Sequence, residues 1–147
     1  MFFNPSWGSE SVSKISIIVA SEKLDKLIPA ITLATTAAIS GWKADLFFTF
    51  WGLLVLKRGY EPSMVSTDYQ DFGGMLKDAL ASGAMPAWRE LLEQGRETGN
   101  IRVYACSSTL GVFQMKEEDL ESFVDGVAGA STFLGMARDS DVSLFIS

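Results

Sequence analysis

Histidine is absent from all 147 residues, and cysteine occurs once, as Cys106. These two shortages exclude a good deal of chemistry. Without histidine, no Ser-His-Asp or Cys-His nucleophile pair can form within the chain. A zinc site built from Cys and His ligands is excluded too, and no metal site is expected. Any acid or base must be Asp, Glu, Lys, Tyr or the thiol itself. A lone cysteine leaves no intrachain disulfide, which fits a reducing, cytoplasmic setting. It also leaves no two-cysteine redox cycle inside one molecule.

Positive charge is also in short supply. Twelve Lys and Arg face eighteen Asp and Glu, for a formal charge of −6, and the basic residues form no cluster. A phosphate backbone rewards a basic face, so a nucleic-acid partner is not expected. Long apolar runs are missing as well. The N-terminus, MFFNPSWGSESVSK, lacks the basic start and continuous apolar stretch of a signal peptide. Leu27 to Trp42 is uncharged for about 16 residues, short of the ~20 needed to cross a bilayer. It also holds Pro29 and Gly41, so a buried helix is expected and a membrane span is not.

What is present describes an ordinary globular chain. Apolar residues make up 48% and charged residues 20%, and the length suits one domain with one core. After a loose arm over residues 1–13, Lys14 to Ala20 (KISIIVA) reads as a buried strand. A helix follows from Ser21 and Glu22, with Leu24, Leu27, Ile28, Ile31 and Ala34 at helical spacing. Pro29 should delay or kink that helix, and Gly41 should end it. Ala44 to Phe50 (ADLFFTF) is a second strand, closed by Trp51 and Gly52, with a helical turn over Leu53–Leu56. Residues 57–85 weaken the pattern and read as an insertion with a short helix over 72–81. Pro86 opens a clear helix that stops at Gly99. Ile101 to Ala105 is a third strand, with Cys106 at its C-terminal edge. Ser107, Ser108 and Thr109 can cap the helix that follows. A short acidic helix over Lys116–Glu121, a strand over Phe123–Val127, a helix over Gly129–Arg138 and a last strand over Val142–Ile146 complete the pattern.

Strands alternating with helices predict a three-layer α/β/α sandwich around a mostly parallel five-stranded sheet, a flavodoxin-like variant. Ligands in such folds bind beyond the carboxyl ends of the strands. Cys106 and Trp51 both follow strand ends. A thiol between a strand and a helix start meets backbone amides that favour the thiolate. From position alone, however, Cys106 reads more readily as a small buried hydrophobe at a strand end.

The other candidates carry the same ambiguity. Trp51 is a pocket wall or ordinary core, and Gly52 lets backbone approach a ligand or simply packs. Gly126 and Gly129 frame a loop that cradles an anion or makes a tight turn. Its spacing matches neither a Walker loop nor a dinucleotide fingerprint, and no cofactor is expected. Met64, Met75 and Met85 offer an adaptable contact surface or loop packing. The acidic run Glu117, Glu118, Asp119, Glu121 and Asp125 docks a basic partner or forms a solvated face.

Taken together, five segments carry a resemblance: SKISIIVASEKLDKLIPAI, ADLFFTFWGLLVLKRG, the glycine- and methionine-bearing insertion, IRVYACSSTLGVF and VDGVAGASTFLGMARDSDVSLFI. Over about Ser13 to Ser147 the chain resembles the DsrE/DsrF-like superfamily, in particular the branch often labelled peroxiredoxin-like. The resemblance implies a three-layer domain that forms homo-oligomers (dimer, trimer or hexamer). It also implies sulfane sulfur carried on Cys106 and exchanged with a small TusA-like carrier or a rhodanese. Trp51, Gly52, Ser107, Ser108, Thr109, Gly126 and Gly129 would then shape the thiol pocket.

Several members of that branch have a second cysteine shortly after the first. Here Ser107 to Met115 has none, and no peroxidatic proline-threonine-cysteine motif is present. The expectation is therefore sulfur relay through one persulfide. Its rivals are a non-catalytic small-molecule or nucleotide-binding module and a structural subunit of an oligomeric complex.

Overall fold

The computed structural model describes residues 12–147. Most of the expected N-terminal arm, residues 1–11, lies outside the described residues. Five strands form one sheet: β1 (Lys14–Val19), β2 (Lys43–Phe48), β3 (Ile101–Cys106), β4 (Gly126–Ala128) and β5 (Val142–Ile146). Their order is β4-β3-β2-β1-β5 and every pairing is parallel. The helices are α1 (Leu24–Ile39), α2 (Gly73–Ser82), α3 (Trp88–Glu97), α4 (Ser107–Val112) and α5 (Ala130–Ala137), joined by 3₁₀ segments at Phe50–Leu56, Thr67–Phe72 and Glu117–Asp119.

The central strands β1 and β2 are short apolar runs because both of their faces are covered. Strand register places Ile15, Ala44 and Ile101 on one face, followed by Ile17, Leu46 and Val103, then Val19, Phe48 and Ala105. All nine are buried. This face lies against α1 and α3, which are joined where the Thr35 hydroxyl donates to the Leu91 carbonyl (3.0 Å). Gly95 of α3 lets the three elements meet. A β-carbon there would stand 2.4 Å from Ile101 Cδ1 and 2.7 Å from Thr35 Oγ1. The opposite face receives α5, whose Phe133 stacks on Phe47 with ring centroids 4.5 Å apart. The result is a three-layer α/β/α sandwich. Polar residues on the second face are paired: Ser16 with Ser140 (2.6 Å) and Lys14 with Asp45 (3.0 Å).

Three expectations change in detail. Helix α1 runs unbroken through Pro29. Proline removes one amide near the helix start, and the buried row Leu27, Ile28, Ala30 and Ile31 holds the segment in place. The acidic helix over Lys116–Glu121 shrinks to one 3₁₀ turn, and the fourth strand is Gly126–Ala128 rather than Phe123–Val127. In place of longer β pairing, Asp125 clasps β3. Its amide donates to the Val103 carbonyl (2.8 Å), its carboxylate accepts from the Val103 amide (2.7 Å), and Arg96 grips that carboxylate (2.7 and 3.3 Å).

The insertion over 57–85 is tied to the β1–α1 corner by two carboxylates. Glu22 accepts from the Ser63 amide (2.7 Å), and Asp25 accepts from both the amide and the hydroxyl of Ser66 (3.0 Å each). Among the described residues, no helix is long and apolar enough to cross a membrane.

Candidate functional site

Parallel strands bring their carboxyl ends to one rim, and Cys106 stands there. Phe48 is paired with Ala105, so the next residues, Thr49 and Cys106, leave the sheet side by side. Cys106 is the residue preceding α4, with extended backbone (φ −68°, ψ 121°), so the first turn of the helix aims its amides back at the sulfur. Its thiol is buried, at 6% exposure.

Burial alone would push the thiol up. Hydrogen bonds outweigh it and hold Cys106 below the ordinary thiol range: the Thr49 hydroxyl first, then the Thr109 amide and hydroxyl, then the Ser108 amide. With six residues, α4 has little dipole of its own, so these local donors do the work.

The two hydroxyls belong to one network. Thr49 Oγ1 and Thr109 Oγ1 lie 3.2 Å apart, and the Phe50 amide donates to Thr109 Oγ1 (3.0 Å). Thr109 is buried. Phe50 has φ +47°, a left-handed conformation that is uncommon for a bulky side chain.

The remaining candidates are distributed around the rim. Ser107 and Ser108 are exposed. Ala128 is registered against Cys106, so Gly129 follows it beside Ser107, whose Oγ would lie 3.5 Å from a β-carbon at 129. Gly126 lies within β4 opposite Tyr104, not in a loop. Gly52 is buried against its own chain: a β-carbon would meet the Val19 carbonyl oxygen at 2.2 Å. The approach that glycine permits there is to β1, not to a ligand. Trp51 is 57% exposed and stacks on Phe113 at the end of α4 (5.7 Å), with Phe50 edge-on to it (5.9 Å).

On its other side, Trp51 borders a cleft of about 280 Å³ formed with Ser21, Glu22, Lys23, Leu54 and Tyr60. Burial and then the Glu22 charge push the Tyr60 hydroxyl up. Sequence reasoning missed Thr49, Phe50 and this Glu22–Tyr60 pair. Threonine inside ADLFFTF reads as a β-branched strand residue, and an acid before a helix reads as a helix-start charge.

A parallel α/β sandwich with its one cysteine at the carboxyl rim of the sheet defines a class of thiol-bearing α/β domains. The chain belongs to the DsrE/DsrF/DrsH-like family, whose model matches residues 11–74 and 64–145. It is 30% identical over 161 aligned positions to the sulfur carrier protein DsrE2 of Allochromatium vinosum, covering 90% of this chain and 98% of that protein. It is also 25% identical to the uncharacterized protein YrkE of Bacillus subtilis, covering 94% and 99%. Two solved structures share the fold. The ychN protein of E. coli superposes with a TM-score of 0.60 at 14% identity, over 92% of this chain and 99% of its own. MTH1491 of Methanobacterium thermoautotrophicum, a protein of unknown function, gives 0.56 at 15% identity, over 90% and 96%.

Proposed function

We propose that this protein is a sulfur-relay carrier that holds sulfane sulfur as a persulfide on Cys106 and passes it to a partner thiol. The observation that carries this reading is the placement of the chain's one cysteine: Cys106 ends β3 at the carboxyl rim, buried, immediately before the first turn of α4. The name of the Allochromatium relative, a sulfur carrier, points the same way.

In the loading step, Cys106 thiolate attacks the outer sulfur of a donor persulfide R–S–SH. A new S–S bond forms on Cys106, the donor S–S bond breaks, and R–S⁻ departs. With a thiosulfonate donor the leaving group is a sulfinate. In the unloading step, an acceptor thiolate attacks the outer sulfur of Cys106–S–SH and Cys106 thiolate leaves. Neither step changes the oxidation state of a metal or calls for histidine. Each needs a thiolate nucleophile and a stable leaving thiolate.

The 6% exposure of Cys106 fits the narrow end of a sulfur chain better than a bulky group. A small TusA-like carrier or a rhodanese would present such an end, and a homo-oligomer is the form in which the carrier would act.

Intact-mass spectrometry after incubation with inorganic polysulfide tests the reading. The expected result is an added mass of one or more sulfur atoms that disappears with dithiothreitol and is absent in Cys106→Ser. A folded protein that takes up no sulfur would overturn it.

A further inference from the structure

We propose that the N-terminal segment of this chain, residues 1–11, closes back over an apolar groove between α1 and β5, with Trp7 as its anchor. Cys106 takes no part in this contact, which stands or falls apart from the sulfur-carrier reading.

The groove starts from an oddity of α1. Leu27 to Trp42 carries no charge at all, whereas a helix lying on a sheet normally turns a charged face to solvent. Leu33, Thr36, Ala37 and Ser40 are spaced i, i+3, i+4 and i+7, so they form a second stripe beside the one that packs on the core. Leu33 is 43% exposed. This stripe and the β5 residues Val142 and Leu144 line a groove of about 310 Å³, in which no lining residue is charged. β5 is also the outermost strand on this side of the sheet, and VSLFI has no lysine, proline or acid to guard the open edge. An uncharged helix stripe beside an unguarded edge strand is a surface that calls for cover.

The chain itself supplies an occupant. Residues 1–11 read MFFNPSWGSES, with Phe2, Phe3 and Trp7 as large apolar rings and Glu10 as the one charged side chain. They lie outside the described residues, but the point at which they join the fold is fixed. The Ser13 carbonyl accepts from the Lys43 amide (2.9 Å). That bond sets residue 13 next to Trp42 and two positions ahead of Ile15, both of which stand in the groove wall. From Val12 back to Trp7 is five residues, a reach of up to about 17 Å. A segment joined at the mouth of the groove competes for it at an effective concentration on the order of millimolar. Size favours it as well. The groove is at the small end of pockets that hold one compact ligand, and a poor footing for the ~800 Å² per partner that a stable dimer buries. A single aromatic ring withdrawn from water there buries about 150–250 Å².

Full-length protein labelled with 5-fluorotryptophan tests the contact. The chain has four tryptophans, so Trp7→Phe assigns the Trp7 resonance. In the folded wild type this resonance should be shifted from free 5-fluorotryptophan and insensitive to exchange of H₂O for D₂O. Thr36→Glu and Leu33→Glu each put a charge on the open stripe and should return it to the free position, with Trp51 and Trp88 unmoved and melting curves showing a folded protein. Trp7→Ser changes no residue of α1 or the sheet, so it decides even if a glutamate variant fails to fold. It should speed amide exchange of Val142–Ile146 several-fold and leave Ile101–Cys106 as in the wild type. A Trp7 resonance at the free position in the wild type overturns the proposal, as does unchanged β5 exchange in Trp7→Ser. A Trp7 resonance that reaches the free position on dilution assigns the groove to the segment of a second copy and overturns the intramolecular contact.

Discussion

Gly52→Ala is expected to damage the protein through its backbone alone. The added β-carbon would lie 2.2 Å from the Val19 carbonyl oxygen, 2.8 Å from its carbon and 3.3 Å from Ala20 Cα. The first distance is about 1 Å short of an ordinary carbon–oxygen contact. No flexible side chain can give way, because all three atoms are main chain. Nor is Val19 O free to retreat, since it accepts the Thr49 amide at 3.0 Å. Overpacking of this kind costs about 3 kcal/mol, at the upper end of its usual range. For a chain of this length, that lowers Tm by roughly 6–12 °C. Urea unfolding should show the same loss as a lower midpoint with an unchanged slope. The shift would also tilt Thr49 and Phe50, so Cys106 alkylation should slow alongside. A Gly52→Ala protein within about 0.5 kcal/mol of wild type would refute the reasoning and reopen Gly52 as a ligand contact.

Other outcomes follow from the same geometry. Burial raises the Glu22 carboxyl, but the Ser63 amide and hydroxyl and Lys23 outweigh it and hold it below the usual carboxylate range. Its stabilisation is therefore present above the unfolded-state value and lost as pH falls through the folded one. Glu22→Gln should cost about 1 kcal/mol at neutral pH and nothing in acid, as read from urea midpoints at the two pH values. Phe133→Ala removes the ring stacked on Phe47 and should cost about 3–5 kcal/mol by the same melts. Phe50→Gly relieves left-handed strain and should leave the Cys106 alkylation profile unchanged while raising stability by about 1 kcal/mol, offset in part by the lost contact with Trp51.

The strands β1 and β2 were legible because burial on both faces writes each as a short apolar run, β3 and β5 because their residues are mostly apolar and β-branched or aromatic even where Arg102 and Phe145 are exposed, and α3 because Pro86 and Trp88 mark its start. Strand β4 was not: three residues paired through backbone, with Asp125 doing part of the holding, leave no apolar signature. Cys106 could be placed at the rim from its position after IRVYA. Its donors could not all be found, because Thr49 comes near it only through the β2–β3 register, some sixty residues away in sequence. Glu22 was read only as the place where a helix begins, and Asp25 was not singled out. Their bonds to the insertion depend on where Ser63 and Ser66 return, which no local pattern encodes.

The brevity of β4 has a consequence for kinetics under native conditions. On its outer flank the thiol's strand is covered only by Gly126–Ala128 and by the Asp125 clasp with Arg96. Detaching that edge leaves β1, β2, β5 and the main core in place, so it is a sub-global opening far less costly than unfolding. A bulky disulfide reagent should then label Cys106 at a rate set by the β4 equilibrium, insensitive to low urea. Asp125→Asn should speed that labelling several-fold more than it raises the globally unfolded fraction. The clasp would thereby govern which sulfur compounds meet the thiol, and how often.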